Sequence, residues 1–234
     1  FSGSTAYSPS VKTAIDFSDS GATVNVTAGT FVEGPQIAIG KNITLVGADK
    51  NTTIITPSAD TGSSGDARGW FLVNSGYTFN LSKVTLDGSG KNINQAVRSS
   101  GSSTIDDTIL KNITYPGYLG TGVVLFGNGS VSNSNFSNIG RIGVIAFGTS
   151  ATNVVINGNT FTGKGAGDWL DYAVELGGGA VATISGNSIS NNLGVASSDG
   201  STSAGILVTT YYGAGTTATI TNNSLTGSTT GIAV

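Results

Sequence analysis

Apolar residues recur along this chain in pairs five positions apart, each bracketing small polar residues and usually followed by glycine or asparagine. The pairs are Leu81/Leu86, Ile105/Leu110, Val131/Phe136, Ile156/Phe161, Ile184/Ile189 and Ile220/Leu225, at successive spacings of 24, 26, 25, 28 and 36 residues. Val26/Phe31 fits the same template earlier in the chain. Between the pairs lies a second recurring strand: GVVLFG (122–127), GVIAFG (143–148), YAVELG (172–177), GILVTT (205–210) and the terminal GIAV. Sustained helical spacing is confined to SPSVKTAIDFSD (8–19), which predicts a short helix within an N-terminal cap over residues 1–20.

A repeat of about 25 residues that carries several short strands is one coil of a parallel β-helix. A single coil cannot bury its apolar side, so coils stack about 4.8 Å apart and each strand pairs with its counterpart in the next coil. The predicted fold is therefore all-β: one single-stranded, right-handed parallel β-helix of about eight coils, forming a single domain over residues 1–234. An immunoglobulin-like sandwich would not repeat its strands in aligned sets. The chain reaches its end at TTGIAV, in mid-strand, so the C-terminal end is expected to be uncapped.

Composition agrees with this reading and removes several chemistries. Charged residues make up only 10% of the chain, hydrophobic residues 38%, and there are 36 glycines; low charge with ample apolar content favours an ordered β protein over a disordered one. Histidine, cysteine and methionine are absent, which removes the usual zinc, copper and haem ligands, the Cys and Ser–His nucleophiles, and disulfides. The net charge is −3 and no basic stripe is present, so nucleic acid is not an expected partner. Nor is there an apolar run long enough for a membrane-spanning helix.

The segment AIDFSDSGATVNVTAGTFVEGPQIAIGKNITLVGADKNTTII (14–55) resembles the opening coils of bacterial right-handed β-helix proteins of the pectin-lyase-like superfamily. The later phrases GNSIS, NNSLTG and GIAV resemble the generic repeats of those proteins, so the likeness covers most of the chain. The resemblance implies a fold, and with it an extracellular or cell-surface location, but no single activity. Polysaccharide lyases, glycoside hydrolases, esterases, adhesins and surface-layer modules share this architecture.

One stretch stands outside the repeat. Residues 108–167 contain no acid, and then GDWLDYAVELGGGA (167–180) brings Asp168, Asp171 and Glu175 within eight positions. Beyond Lys164 the chain holds four acids and no base. Aligning YAVELG with the strands before it puts Val174 and Leu176 inside and Glu175 outside, level with Ala146, Leu125 and Val208 and exposed to solvent. The turns before these strands stack on one side, where Tyr115, Tyr118, Arg141, Trp169 and Asp199 form a candidate sugar-binding surface; Tyr211 and Tyr212 are further neighbours. Pyranose rings stack on aromatic faces and sugar hydroxyls bond to carboxylates.

Two functional classes follow. The sequence favours a structural module of a bacterial surface layer, adhesin or fibre, associating with itself through its ends or edges and needing no cofactor. The alternative is a carbohydrate-binding or carbohydrate-cleaving β-helix in which Trp169 and Tyr118 hold sugar rings and Arg141 orients a polar group. Asp168 with Asp171 or Glu175 would then supply acid and base. Asp168 and Asp171 are also hard oxygen donors of the kind calcium takes, but neither an EF-hand loop nor a Gly/Asp nonapeptide repeat accompanies them, so no metal is expected.

Overall fold

A computed structural model describes residues 8–34 and 36–234. The apolar repeat becomes three parallel sheets of eight strands each, with every coil contributing one strand to each sheet. The first sheet runs from Ala22–Val26 to Thr217–Thr221 and the second from Gly29–Glu33 to Ser224–Thr226. The strands of the third are Ile37–Ile39, Gly69–Val73, Gln95–Ser99, Thr121–Leu125, Ile142–Phe147, Tyr172–Gly177, Ala204–Val208 and Thr230–Ala233. All pairings between these strands are parallel, as the repeat predicts.

The apolar pairs are two ladders of the core. Leu81, Ile105, Val131, Ile156, Ile184 and Ile220 align in the first sheet. Leu86, Leu110, Phe136, Phe161, Ile189 and Leu225 align in the second. Phe136 and Phe161 stack at 4.6 Å between ring centroids, within the range where aromatic pairs add to simple burial. The earliest pair needs correction: Val24, not Val26, continues the Leu81 ladder through Leu45, while Phe31 does continue the Leu86 ladder through Ile55. A longer connection between the first two sheets in this coil breaks the five-residue spacing.

The corner between the first and second sheets demands a left-handed residue. Lys83, Asp107, Asn133, Gly158, Gly186 and Asn222 hold this place in successive coils with φ between 47° and 67°. Asparagine and glycine meet that demand at little cost, while lysine and aspartate carry a modest strain. The next residue turns inward, and from Ser134 onward these positions form a buried polar ladder. Asn187 Oδ1 accepts from the backbone N–H of Asn159 at 2.9 Å and from its Nδ2 at 3.0 Å. Asn187 Nδ2 donates to the carbonyl of Ile156 at 2.9 Å. Asn223 repeats the arrangement one coil on.

The predicted cap is a helix, Val11–Phe17, whose Val11 and Ile15 are buried against the first coil. Ser10 caps it through the N–H of Thr13, and the buried Glu33 carboxylate accepts from Val11 N–H, Lys12 N–H and Ser10 Oγ. Residues 1–7 of the cap reading lie outside the described residues. At the other end Ile232 is 45% exposed, so the last coil leaves core positions uncovered. No helix among the described residues is long and apolar enough to cross a membrane.

Candidate functional site

The third sheet differs from the other two because both its faces are largely covered. Its strands bend at their start: Ala173 and Val174 are consecutive and both join the core. At the position of Ala173 the neighbouring coils carry Gly143 and Gly122, where a Cβ would strike Phe161 and Phe136 in the interior. After the bend, alternation resumes. Leu176 is buried in the core, and Glu175 projects to the outer face between it and Val174.

This bend corrects the sequence register. Glu175 pairs with Ile145 and Leu207, not with Ala146 and Val208, and Val124 precedes Ile145 in the same column. Gly177, not Leu176, stands beside Phe147, so Phe147 and the preceding Phe126 lie half-buried at the exit side of the strands rather than inside. The face assigned to Glu175 holds, but its exposure does not. Only 6% of the residue is accessible. Burial pushes its carboxyl above the usual glutamate range, opposed by the nearby Arg141 guanidinium.

The turns that lead into the third sheet stack as the repeat predicts. Tyr115 and Tyr118 come from the coil of Thr121–Leu125, Arg141 from the next, and Trp169 from the one after. Tyr115, Tyr118 and Trp169 line an open cleft of about 390 Å³ together with Lys164, a residue the sequence reading left out. The Lys164 ammonium donates to the Gly140 carbonyl and lies 4.9 Å from the Trp169 ring centroid and 6.0 Å from that of Tyr118. The two rings are 5.9 Å apart. Desolvation lowers the proton affinity of Lys164, partly offset by Asp171 and reinforced by Arg141. The Trp169 ring lies so close over Gly167 that a Cβ there would meet it at 2.2 Å, so the loop needs glycine to close on itself.

Arg141 joins this cleft to the face of the sheet, because its charge acts on Lys164, Tyr172 and Glu175 alike. Tyr172 was not among the expected site residues. Desolvation raises the pKa of its buried phenol; Arg141 opposes the shift, and Glu175, Asp199 and Tyr212 add to it.

The three acids of the 167–180 stretch do not form one site. Asp168 is exposed, and its two oxygens accept from the backbone N–H and the hydroxyl of Ser197, both at 2.7 Å, which lowers its pKa. Asp171 is buried and accepts from the Lys164 backbone N–H at 2.7 Å, and Asn192 beside it favours its charged form. Its pKa is raised by burial, against those two influences and the Lys164 charge. Asp171 therefore pins the base of the loop, Asp168 ties it to the next coil, and Glu175 lies on the outer face of the third sheet, outside the residues that line the cleft. Asp199 accepts from the Ser201 N–H of its own turn. Among the described residues no group of three or more acids, histidines or cysteines is placed to hold a metal ion.

No protein-family model and no curated protein sequence matches the chain. Solved structures similar to this chain include the following two. One is a PL6 family alginate lyase, AlyGC, with a TM-score of 0.52 and 15% identity, covering 91% of this chain and 38% of the lyase. The other is the Azotobacter vinelandii mannuronan C-5 epimerase AlgE4 A-module, with a TM-score of 0.42 and 14% identity over 92% and 89% of the two chains. The likeness to the lyase agrees with the parallel β-helix that the three eight-stranded sheets form, and the chain spans well under half the length of that lyase.

Proposed function

We propose that this β-helix binds an acidic polysaccharide in the cleft at the head of its third sheet. The observation that carries the reading is the Lys164 ammonium set against the faces of Trp169 and Tyr118, with Arg141 within electrostatic reach. Two aromatic faces suit the apolar face of a pyranose ring, and two cations beside them suit a ring that carries a carboxylate. A neutral sugar would bring no charge to meet these two cations. The alginate lyase, whose fold this chain shares, is named for such a polymer, and an extracellular setting is where such polymers are met.

Lys164 in the cleft, with Arg141 on the turn and Glu175 on the strand beside it, provides groups suited to proton transfer next to a sugar carboxylate. Arg141 can neutralise the carboxylate, while Lys164 has a lowered and Glu175 a raised affinity for its proton. This replaces the Asp168/Asp171 pairing that a hydrolytic reading would use.

Titration calorimetry with polymannuronate and with a neutral glucan tests the proposal. Polymannuronate is expected to bind, more weakly as salt rises, and the glucan is not. Trp169→Ala and Arg141→Ala should each weaken binding about tenfold, the loss of one stacking or charge-assisted contact. Equal binding of both polymers, or variants that bind like the parent, would contradict it. Release of an unsaturated product from polymannuronate would identify elimination chemistry, and binding without product a recognition module.

A further inference from the structure

The outer face of the third sheet has a second border, at the exit of its strands, which the cleft does not include. Along Tyr172–Gly177 the chain rises about 3.3 Å per residue, so this border lies roughly 16 Å from Tyr172. Gly177 has no side chain to occupy it. A Cβ there would meet Tyr212 Cδ2 at 3.3 Å and Phe147 Cδ2 at 3.5 Å, so two aromatic rings from different coils close over the bare backbone.

These rings belong to a longer row. Phe126 meets Phe147 edge-on at 6.2 Å, Phe147 meets Tyr212 at 5.0 Å, and Tyr212 meets Tyr211 at 4.9 Å. The row is anchored at its inner end, where the Arg98 guanidinium sits 4.5 Å from the Phe126 centroid. Arg98 is itself held by Asp66 at 3.0 Å and by Gln95 at 3.2 Å. At the outer end the rings emerge into solvent: Tyr212 is 55% and Tyr211 85% exposed. A tight turn fixes them, with Tyr211 N–H donating to Thr209 Oγ1, Gly213 N–H to the Thr210 carbonyl, and Thr216 Oγ1 to the Thr209 carbonyl. Two neighbouring tyrosines held out by a closed turn are poorly explained by core packing, since neither is buried.

The strand Tyr172–Gly177 links the two borders: it starts after the Trp169 turn, carries Glu175 on its outer face, and ends at Gly177 under Phe147 and Tyr212. Ile145 and Leu207, partly exposed on either side of Glu175, complete an apolar floor.

We propose that Tyr212 and Tyr211, backed by Phe147 and Phe126, form a second sugar-binding wall, so that one glycan chain lies across the third sheet from Trp169 to Tyr212 and passes over Glu175. This rests on the cleft's being a glycan site and adds to it a far subsite with a length requirement. The occupant is a saccharide rather than an apolar peptide because the wall continues a surface whose other groups are a guanidinium, an ammonium, a phenol and a carboxylate. An oligosaccharide presents both the apolar ring faces and the hydroxyls and carboxylates that such a surface can satisfy.

The test compares a mannuronate disaccharide with a hexasaccharide, on the parent chain, on the double variant Tyr211→Ala/Tyr212→Ala, and on Tyr212→Trp. The double variant should melt like the parent, because both side chains are exposed. Its hexasaccharide affinity should fall about tenfold while its disaccharide affinity is unchanged, and Tyr212→Trp should keep the preference for the longer ligand. Unchanged hexasaccharide binding in the double variant, or an equal loss for both lengths, would overturn the second wall and leave the cleft standing. Failure of the parent to bind either ligand would overturn the cleft reading, and the wall with it.

Discussion

Asn187→Ala is expected to lower stability by roughly 3–6 kcal/mol, the largest loss from any single polar substitution in the ladder. The side chain is 1% exposed and makes four hydrogen bonds, two accepted from Asn159, one donated to the Ile156 carbonyl and one donated to Asn223 Oδ1. Removing it strands a backbone N–H, an amide N–H and a backbone carbonyl in the interior, and each unpaired buried group costs about 1–3 kcal/mol. The carbonyl belongs to a core strand, so the loss falls on the coil-to-coil stacking that holds the solenoid together. Urea denaturation of the variant should show an earlier midpoint with an unchanged slope. Asn223→Ala is the internal control. It occupies the same ladder position but is partly exposed, so water can replace its contacts and the loss should be smaller. Equal losses at the two sites would contradict the assignment of the effect to buried, unpaired groups.

Glu175→Leu is expected to act in the opposite direction on stability, raising it by about 1–3 kcal/mol, while removing the carboxyl that proton transfer beside the cleft would use. In its column Glu175 stands between Ile145 and Leu207, and apart from the Arg141 charge nothing offsets its desolvation. Arg141 is only half-buried, so the cation left behind keeps access to water, and relief of the carboxylate's desolvation outweighs the lost attraction. The same burial predicts a pH signature. The folded carboxyl holds its proton more tightly than a free glutamate of pKa 4.5, so between 4.5 and the folded value the folded chain binds more protons than the unfolded one. Stability therefore falls as pH rises through that interval. Asp171, raised from 3.8 by burial, contributes in the same sense from a lower starting point. Thermal melting across pH should show a shallower decline in Glu175→Leu than in the parent, with the Asp171 part remaining. A variant less stable than the parent would show that Glu175 is a structural group rather than one retained at a cost to the fold.

The fold was legible because it is written in ladders. Residues such as Ile105, Val131 and Ile156 recur at nearly one coil's length and must bury together, so spacing alone assigns two of the three sheets. The second recurring strand assigns the third sheet, but not its register. A bend that points both Ala173 and Val174 inward breaks the alternation on which a one-residue alignment depends, and matching the final glycines put Phe147 level with Leu176. The first coil slipped for a related reason: its longer connection between sheets one and two shifts the apolar spacing from five to seven.

The site was legible as a place more than as a chemistry. Stacking of the turns brings Tyr115, Tyr118 and Trp169 to one cleft, with Arg141 in the turn between them. It could not sort the acids, because Asp168, Asp171 and Glu175 read alike in sequence while the structure gives them a loop tie, a buried anchor and a buried place on the outer face of the third sheet. Lys164 had one visible signal: it is the last basic residue before the acids begin, yet only the folded loop carries it onto the faces of Trp169 and Tyr118. Phe126, Phe147 and Tyr212 are nearly 90 residues apart in the chain at their extremes and meet only because three coils end on the same border of the sheet.

The most direct test of the account is to map a bound mannuronate hexasaccharide on the chain by backbone amide chemical-shift changes. The account predicts changes concentrated on the outer side of the third sheet, around Tyr118, Arg141, Lys164, Glu175 and Tyr212, with the first and second sheets silent. Shifts confined to those two sheets or to the last coil around Ile232 would contradict it.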